Sequence, residues 1–99
     1  IEYTLIEQTV SNTGTLALSS DRIQHSVITR NTTITLPTVN KYTVIDLSFT
    51  ANSNYTVTFP SSLIWKSAPS EFKDGVEMEF IFTYNNNKWY AAYIEYGNN

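Results

Sequence analysis

Alternation of apolar and polar residues with a period of two is the feature that most constrains this chain. The stretch YTVIDLSFT, residues 42–50, places one set of side chains on a single inward face, made of Thr43, Ile45, Leu47 and Phe49. This period is typical of a half-buried β-strand, whereas no window shows convincing helical periodicity. Thr, Ser and Asn dominate the polar residues, and Tyr, Phe, Val and Ile are frequent, which also favours strands.

The alternation predicts one all-β domain over residues 1–99, an antiparallel β-sandwich of jelly-roll-like type that ends in a C-terminal β-hairpin. Residues 1–11 form either its first strand or a connecting strand or arm from an upstream region. The chain opens IEYTL, without Met or a leader pattern, and we expect a fragment or a processed chain. About eight short strands are predicted, at Tyr3–Val10, Thr15–Leu18, Ile23–Thr29, Thr32–Leu36, Tyr42–Thr50, Tyr55–Phe59, Val76–Tyr84 and Lys88–Tyr96.

Composition and charge argue against several classes of protein. The formal net charge is −3 and the few Lys and Arg residues are scattered, so the sequence gives no basic stripe for nucleic acid. The chain has no cysteine, which excludes a disulfide framework and thiolate chemistry, and oligomerisation could supply the extra stability. No apolar run reaches the roughly 18 residues of a membrane span, so no membrane insertion is expected.

Two segments of the sequence echo each other. NTTITLP at 31–37 and NYTVTFP at 54–60 both read Asn, two residues, a β-branched residue, Thr, a large apolar residue and Pro. Proline cannot donate a hydrogen bond to a sheet, so each strand should end at Pro37 or Pro60. Two copies are too few to predict a solenoid. They are either two strands built by similar rules or a pair of equivalent strands.

The segment 60–75, PSSLIWKSAPSEFKDG, is the longest region without clear alternation. Long loops in small domains are either functional or held down by their own apolar residues. Leu63, Ile64, Trp65 and Phe72 favour the second alternative, with Trp65 as the core anchor and also a candidate loop contact.

The last two predicted strands form a hairpin around Asn85, Asn86 and Asn87, which are turn formers that tolerate positive φ. A three-residue loop pairs Tyr84 with Lys88. It then matches apolar residues across the hairpin, in the pairs Phe82–Tyr90, Phe80–Ala92, Met78–Ile94 and Val76–Tyr96, which predicts a core made of these residues.

That register places Trp89, Tyr93 and Glu95 on the second face of the hairpin, beside Glu77 and Glu79. Glu77 then lies opposite Glu95, a like-charge pair that costs a few tenths to ~1 kcal/mol. The alternative register, with a four-residue loop, removes this clash but puts Met78 opposite Glu95. We predict the first register.

The order of these pieces resembles a module of tailed-bacteriophage virion proteins, found in tail-fibre, baseplate and head-fibre appendages. The resemblance rests on Leu36-Pro37, Phe59-Pro60, the Trp65…Pro69 loop and Trp89-Tyr90 at the start of the last strand. The lead-in TGTLALSSDRIQHSVITRN is also similar, and together the segments span roughly residues 12–96. The chain departs from the family in the loop residues Lys66-Ser67 and in its three Asn, where the family often has Gly.

The resemblance implies a non-enzymatic β-sandwich module that assembles on the virion as a symmetric oligomer, with a trimer favoured. Expected partners are other copies of the chain, other virion proteins and host-surface glycan, and the expected role is host attachment. A carbohydrate-binding module of a bacterial surface or secreted protein, working as a monomer, is the alternative. A polysaccharide depolymerase is the third and weakest hypothesis.

Catalytic and metal-binding patterns are weak. His25 is interpreted as part of a polar strand face, and Ser26 beside it does not make a triad because the sequence has no nucleophile-turn motif. Glu77, Glu79 and Glu95 could converge as glycosidase carboxylates, but an open sheet face offers little to exclude water. The acidic residues near Gly75 lack calcium-loop spacing. We predict no enzyme activity, metal or cofactor.

Trp89 and Tyr93 are therefore the main candidate site residues, with Glu77, Glu79 and Glu95 beside them. Aromatic side chains suit a subunit interface, the core of a two-sided sandwich or the face of a sugar ring. The sequence leaves these three alternatives open.

Overall fold

The described part of the chain contains nine strands. The computed structural model describes residues 6–9, 13–20, 22–66, 68–69 and 72–96, and no helix occurs among them. The strands are β1 (Ile6–Thr9), β2 (Thr15–Ala17), β3 (Arg22–Val27), β4 (Thr32–Thr35), β5 (Thr43–Thr50), β6 (Val57–Thr58), β7 (Ile64–Trp65), β8 (Glu77–Asn85) and β9 (Lys88–Tyr96). The prediction of an all-β protein is confirmed.

The first six strands alternate between two sheets. Strands β1, β3 and β5 lie in a six-stranded sheet of order β1-β3-β5-β8-β9-β7, and β2, β4 and β6 form a three-stranded sheet. Neighbours among these six strands pair in parallel. The chain therefore winds in three rungs, each of which gives one strand to each sheet. The crossover that a parallel pair needs is here a strand of the opposite sheet.

The predicted antiparallel, jelly-roll-like topology is wrong for these six strands. Antiparallel pairing occurs where β8 joins β5 and β9 joins β8. Alternation of side chains is the same in parallel and antiparallel strands, so the period that predicts the strands carries no information on their direction.

The echo between residues 31–37 and 54–60 falls on two adjacent strands, but the matching positions are offset by two residues, so Ile34 does not lie opposite Val57. β4 pairs with β6, with Thr32 opposite Val57. The asparagine at the start of the first copy also joins the rungs, because the Asn31 side chain accepts a hydrogen bond from the Thr56 N–H at 3.0 Å. The Thr32 N–H in turn donates to the Thr56 carbonyl at 2.9 Å.

A single hydrophobic core fills the space between the two sheets. Side chains from the three-stranded sheet meet those of β5 and β8 there, and the largest fully buried residues are Phe80, Phe82, Leu16, Ile28, Ile34, Ile45, Leu47 and Met78. The inward set predicted for residues 42–50 is confirmed, since Thr43, Ile45, Leu47 and Phe49 are all buried. Phe80 occupies the centre, with its ring 5.1 Å from both Phe49 and Phe59.

The closing hairpin has a two-residue turn. Asn86 and Asn87 both have positive φ, 55° and 64°, and Asn85 pairs with Lys88 inside the ladder. Two consecutive residues with positive φ are the signature of a type I′ turn, whose twist matches that of the two strands. The predicted three-residue loop is wrong. The structure has the alternative register, in which Met78 lies opposite Glu95.

Apolar side chains of the described residues in segment 60–75 pack against the core, as predicted. Leu63 is buried, and Trp65 makes an edge-to-face contact with Phe59 at 5.2 Å. Phe72 packs on Phe49 at 6.0 Å. Ile64 is the exception, because its side chain is 44% exposed on the far face of the sheet.

Candidate functional site

The register of the hairpin exchanges the two faces of β9. A slip of one residue turns every side chain of a strand to the opposite face. Tyr93 therefore lies opposite Phe80 and stacks on it, with ring centroids 5.9 Å apart and an interplanar angle of 24°. Trp89 lies opposite Tyr84, and both Trp89 and Tyr93 pack against the core. Their predicted place on the second face, beside Glu77 and Glu79, is wrong.

The residues that do share a face with Glu77 and Glu79 are those that were predicted to be core. Tyr90, Ala92, Ile94 and Tyr96 lie opposite Thr83, Ile81, Glu79 and Glu77, respectively. They point away from the three-stranded sheet, onto what we call the outer face of the six-stranded sheet. On that face Tyr90 is 37%, Ile94 47% and Tyr96 46% exposed.

The outer face is a regular array of four rows across β3, β5, β8 and β9. Strand pairing aligns the rows Val44–Thr83–Tyr90, Ile23–Asp46–Ile81–Ala92, His25–Ser48–Glu79–Ile94 and Val27–Thr50–Glu77–Tyr96. Ile64 of β7 extends the first row. Five of the six exposed large apolar side chains of the described residues stand on this face, namely Val27, Ile64, Tyr90, Ile94 and Tyr96.

Four of these side chains, together with that of Ala92, form a continuous apolar band along β9 and β7. We call Ile64, Tyr90, Ala92, Ile94 and Tyr96 the β9 stripe. Every outward-facing residue of β9 from Tyr90 onward is apolar. The face of a sheet that is exposed to water usually carries polar residues instead. The stripe adjoins a depression of about 290 Å³ between β7 and the outer face, lined in part by Ile64, Ile81 and Tyr90. The sequence shows this stripe, but the wrong register assigned it to the core.

The stripe lies at an edge of the sheet. β7 pairs only with Tyr90 and Ala91 of β9, and the Lys66 N–H donates to the Ala91 carbonyl at 3.0 Å. From Ala92 to Tyr96 no strand among the described residues covers that side of β9. An apolar face and an open backbone edge therefore coincide over these five residues.

The predicted cluster of three glutamates is not formed. Glu77 and Glu79 lie on the outer face, but Glu95 lies opposite Met78 on the other face, where it is exposed beyond the end of the core. Asp46 of β5 takes its place, because the Asp46 and Glu79 carboxyl groups are hydrogen-bonded to each other. Sequence spacing alone could not show this pair, since it depends on the order of the strands.

The two carboxyl groups of this pair have opposite pKa shifts. Burial, the hydrogen bond to Glu79 and the Glu79 charge raise the pKa of Asp46 to about 7. The hydrogen bond from Asp46 lowers the pKa of Glu79, and the Tyr96 hydroxyl, which donates to Glu79 Oε1 at 2.6 Å, lowers it further. The same contact raises the pKa of Tyr96. Between about pH 5 and pH 7 the pair therefore shares one proton, held mainly by Asp46.

His25 contacts Ser48 rather than the neighbouring Ser26. His25 Nδ1 lies 2.5 Å from Ser48 Oγ on the outer face, at the edge of a depression of about 220 Å³ that Glu77 also lines. Ser26 points the other way and is buried. The hydroxyl–imidazole pair therefore lies on the outer face, in the row that joins His25 to Ser48. Among the described residues, no group of His, Asp and Glu is arranged to hold a metal ion.

A groove opens at one end of the molecule between the two sheets. Its volume is about 560 Å³, and it brings together Leu36-Pro37, Phe59-Pro60 and Trp89, which are far apart in the sequence. The other lining residues are Thr33, Ile34, Thr35, Thr38, Val39, Ser62 and Tyr84. Sequence reasoning missed this site, although the apolar-Pro ends of the two echoed segments both line it. Trp65 lies outside the groove, at the edge-to-face contact with Phe59.

Comparison with known proteins does not place the chain in a family. No protein-family model matches it, and neither the curated proteins nor the solved structures include a significant match. Over the described residues, no helix is long and apolar enough to cross a membrane. The function is therefore argued from the geometry of the outer face and of the groove.

Proposed function

We propose that this protein is a non-enzymatic structural module of an oligomeric bacteriophage virion appendage, such as a tail fibre, baseplate or head fibre, with a part in host attachment. The observation that carries the proposal is the β9 stripe. A stripe of large apolar side chains beside an open strand edge favours burial against another protein.

A second copy of the chain is the occupant that fits this surface. The four rows of the outer face, at about 4.8 Å between strands and 6.7 Å between alternate residues, cover about 500 Å² in projection. This is of the order of the area that each partner contributes to a standard interface, about 800 Å² of accessible surface. An open edge also accepts a strand of another copy, so one surface can bury the apolar side chains and pair the backbone groups.

The charges of the outer face suit such an interface below about pH 7. Asp46 and Glu79 share a proton, and Tyr96 donates to Glu79, so the central polar groups satisfy each other within one chain. Polar groups that are paired internally cost less to bury than free carboxylates. The β9 stripe itself contains no charged residue, and Glu77 lies beside its end, in the row of Tyr96.

The rival proposal is a monomeric carbohydrate-binding module of a bacterial surface or secreted protein. The observation in its favour is the groove, whose lining residues are uncharged. A depolymerase is the weakest alternative, because the carboxyl groups of Asp46 and Glu79 contact each other instead of flanking a cleft.

The mass of the protein in solution tests the proposal. Light scattering after size exclusion should give a closed oligomer of the 11.3 kDa chain, and a trimer is the expected order. Ile94→Glu puts a charge into the β9 stripe and should weaken association at least tenfold, with an unchanged circular dichroism spectrum. Thr58→Glu is the matched control, because Thr58 is also an exposed β-branched strand residue but lies on the other sheet.

Two results would contradict the proposal. The first is a monomer at every concentration up to the millimolar range, which favours the carbohydrate-binding alternative if sugar binding is found. The second is an oligomer that Ile94→Glu leaves intact, since the β9 stripe is then not the interface.

A further inference from the structure

The groove between the sheets has a wall of backbone as well as side chains. β6 ends at Thr58, so it pairs with β4 only at Thr32 and Thr33. The chain then turns away at Phe59-Pro60, and proline has no N–H with which to continue the ladder. The side of β4 that β6 leaves uncovered, together with the chain that follows to Val39, forms one side of the groove.

Aromatic side chains form the opposite side. Tyr84 and Trp89 are half-buried, and their ring centroids are 5.2 Å apart with an interplanar angle of 59°. The Trp89 position is fixed by its place opposite Tyr84 in the ladder and by its packing on the core. A ring held in this way can receive a flat apolar ligand surface with little loss of side-chain entropy.

Residues with neutral hydroxyl groups are also part of the groove lining. Thr38 and Ser62, which lie outside the strands, are among the residues that line the groove. Thr33 and Thr35 also line it, but they alternate with the buried Ile34, so their hydroxyls lie on the opposite face of β4. Each hydroxyl can both donate and accept a hydrogen bond. No charged side chain is among the lining residues, although the protein as a whole is acidic. The volume of about 560 Å³ lies within the range of small-molecule sites, about 300–1,000 Å³.

We propose that this groove is a binding site for a neutral oligosaccharide. A pyranose ring has one face of C–H groups, which would pack on Trp89 or Tyr84. Its rim of hydroxyl groups would bond the hydroxyls of Thr38 and Ser62. An acidic sugar or a phosphate would find no cation here. This inference does not rest on the assembly proposal, because the groove and the β9 stripe use different residues.

The two tryptophans provide the test. In a ¹H–¹⁵N spectrum each indole N–H gives its own signal, so Trp89 reports on the groove and Trp65 on a site outside it. The protein is titrated with maltotetraose, cellotetraose and chitotetraose, with a sialylated trisaccharide as the charged comparison. We expect at least one neutral tetrasaccharide to shift the Trp89 signal in a saturable way, with a Kd of about 1 mM or below, and the Trp65 signal to move much less.

Ser62→Asp and Ser61→Asp form a matched pair for the same titration. Both serines are exposed and adjacent, but only Ser62 lines the groove. Ser62→Asp should weaken binding at least tenfold, while Ser61→Asp should bind as the unchanged protein does. Neither variant should alter the mass in solution, and Ile94→Glu should not alter binding, which separates this proposal from the assembly proposal.

Three results would overturn the saccharide site. One is that none of the three neutral tetrasaccharides shifts the Trp89 signal. Another is that Ser62→Asp binds as tightly as Ser61→Asp. The third is that a proline-rich peptide, which also suits aromatic grooves, shifts Trp89 while the sugars do not.

Discussion

Tyr84 lies directly opposite Trp89 in the closing hairpin, and their rings are 5.2 Å apart. This one pair determines which face of β9 meets the core. With Tyr84 opposite Trp89, Ala91 and Tyr93 follow on the core side, and Ile94 and Tyr96 are turned to the outer face. The same pair forms part of the wall of the groove. The turn that sets this register therefore determines both candidate surfaces.

The first prediction concerns that turn. Asn86→Ala should lower the free energy of unfolding by about 1 kcal/mol, because alanine at positive φ is strained where asparagine is tolerated. Asn87→Gly should be neutral or raise it by a few tenths of a kcal/mol, since Asn-Gly is favoured in a type I′ turn. Urea unfolding followed by fluorescence measures both changes.

Asn85→Ala is the control for the turn. Asn85 is an exposed residue within the ladder, so this change should stay within about 0.5 kcal/mol. If Asn85→Ala destabilises the protein as much as Asn86→Ala does, the loop has three residues and the faces of β9 assigned here are reversed.

The three asparagines show why the sequence could not decide this register. Each of them can adopt a turn conformation, so composition permits a loop of two, three or four residues. β9 also carries apolar residues on both faces, such as Trp89 and Tyr93 on one and Tyr90 and Ile94 on the other. The pattern of apolar residues therefore does not indicate which face of β9 points into the core. In β5 and β8 the alternation is cleaner, and the inward residues predicted there, Ile45 and Phe80 among them, are buried.

The winding of the chain in three rungs could not be predicted from the sequence either. Consecutive rungs differ in length, because Ile6 lies opposite Arg22 while Ile23 lies opposite Asp46. A solenoid is recognised by a fixed period, and this chain has none. Only the echo of residues 31–37 in 54–60 marks two of the rungs. β7, with two residues, is too short to show any alternation.

The second prediction concerns the core. Phe80→Ala should lower the free energy of unfolding by about 3–5 kcal/mol, because Phe80 is fully buried and packs on Phe49, Phe59 and Tyr93. The neighbouring Ile81 is half-buried on the outer face, so Ile81→Ala should lower it by less than about half as much. Chemical unfolding at one fixed protein concentration measures both. Equal losses would mean that the outer face is as well packed as the core.

The third prediction concerns pH. Between about pH 5 and pH 7 the folded protein keeps a proton on Asp46 that the unfolded chain, with an ordinary Asp pKa of 3.8, has lost. The folded state binds more protons, so the free energy of unfolding should fall as the pH rises through this window. Solvent screening reduces the effect, and we expect a fall of roughly 1–2 kcal/mol between pH 5 and pH 8.

Asp46→Asn isolates this contribution from that of Glu79 on the same face. The amide cannot ionise, and its NH₂ group can still donate to Glu79, so the fall between pH 5 and pH 8 should largely disappear. Below pH 4.5 Glu79 has the opposite effect on stability. Its lowered pKa stabilises the folded protein while the carboxylate is ionised, and this stabilisation is lost as the pH falls. An unchanged pH profile in Asp46→Asn would refute the shared proton.

The chain contains no cysteine, so a single introduced thiol reports on one surface position without interference. The most direct test of the proposed interface is the rate at which a maleimide labels Ile94→Cys in the native protein at high and at low protein concentration. We expect at least tenfold protection at the concentration where the oligomer forms and loss of protection on dilution, whereas Thr58→Cys reacts rapidly at both. Equal, rapid labelling of Ile94→Cys and Thr58→Cys at every concentration would show that nothing covers the β9 stripe and that the proposed interface is wrong.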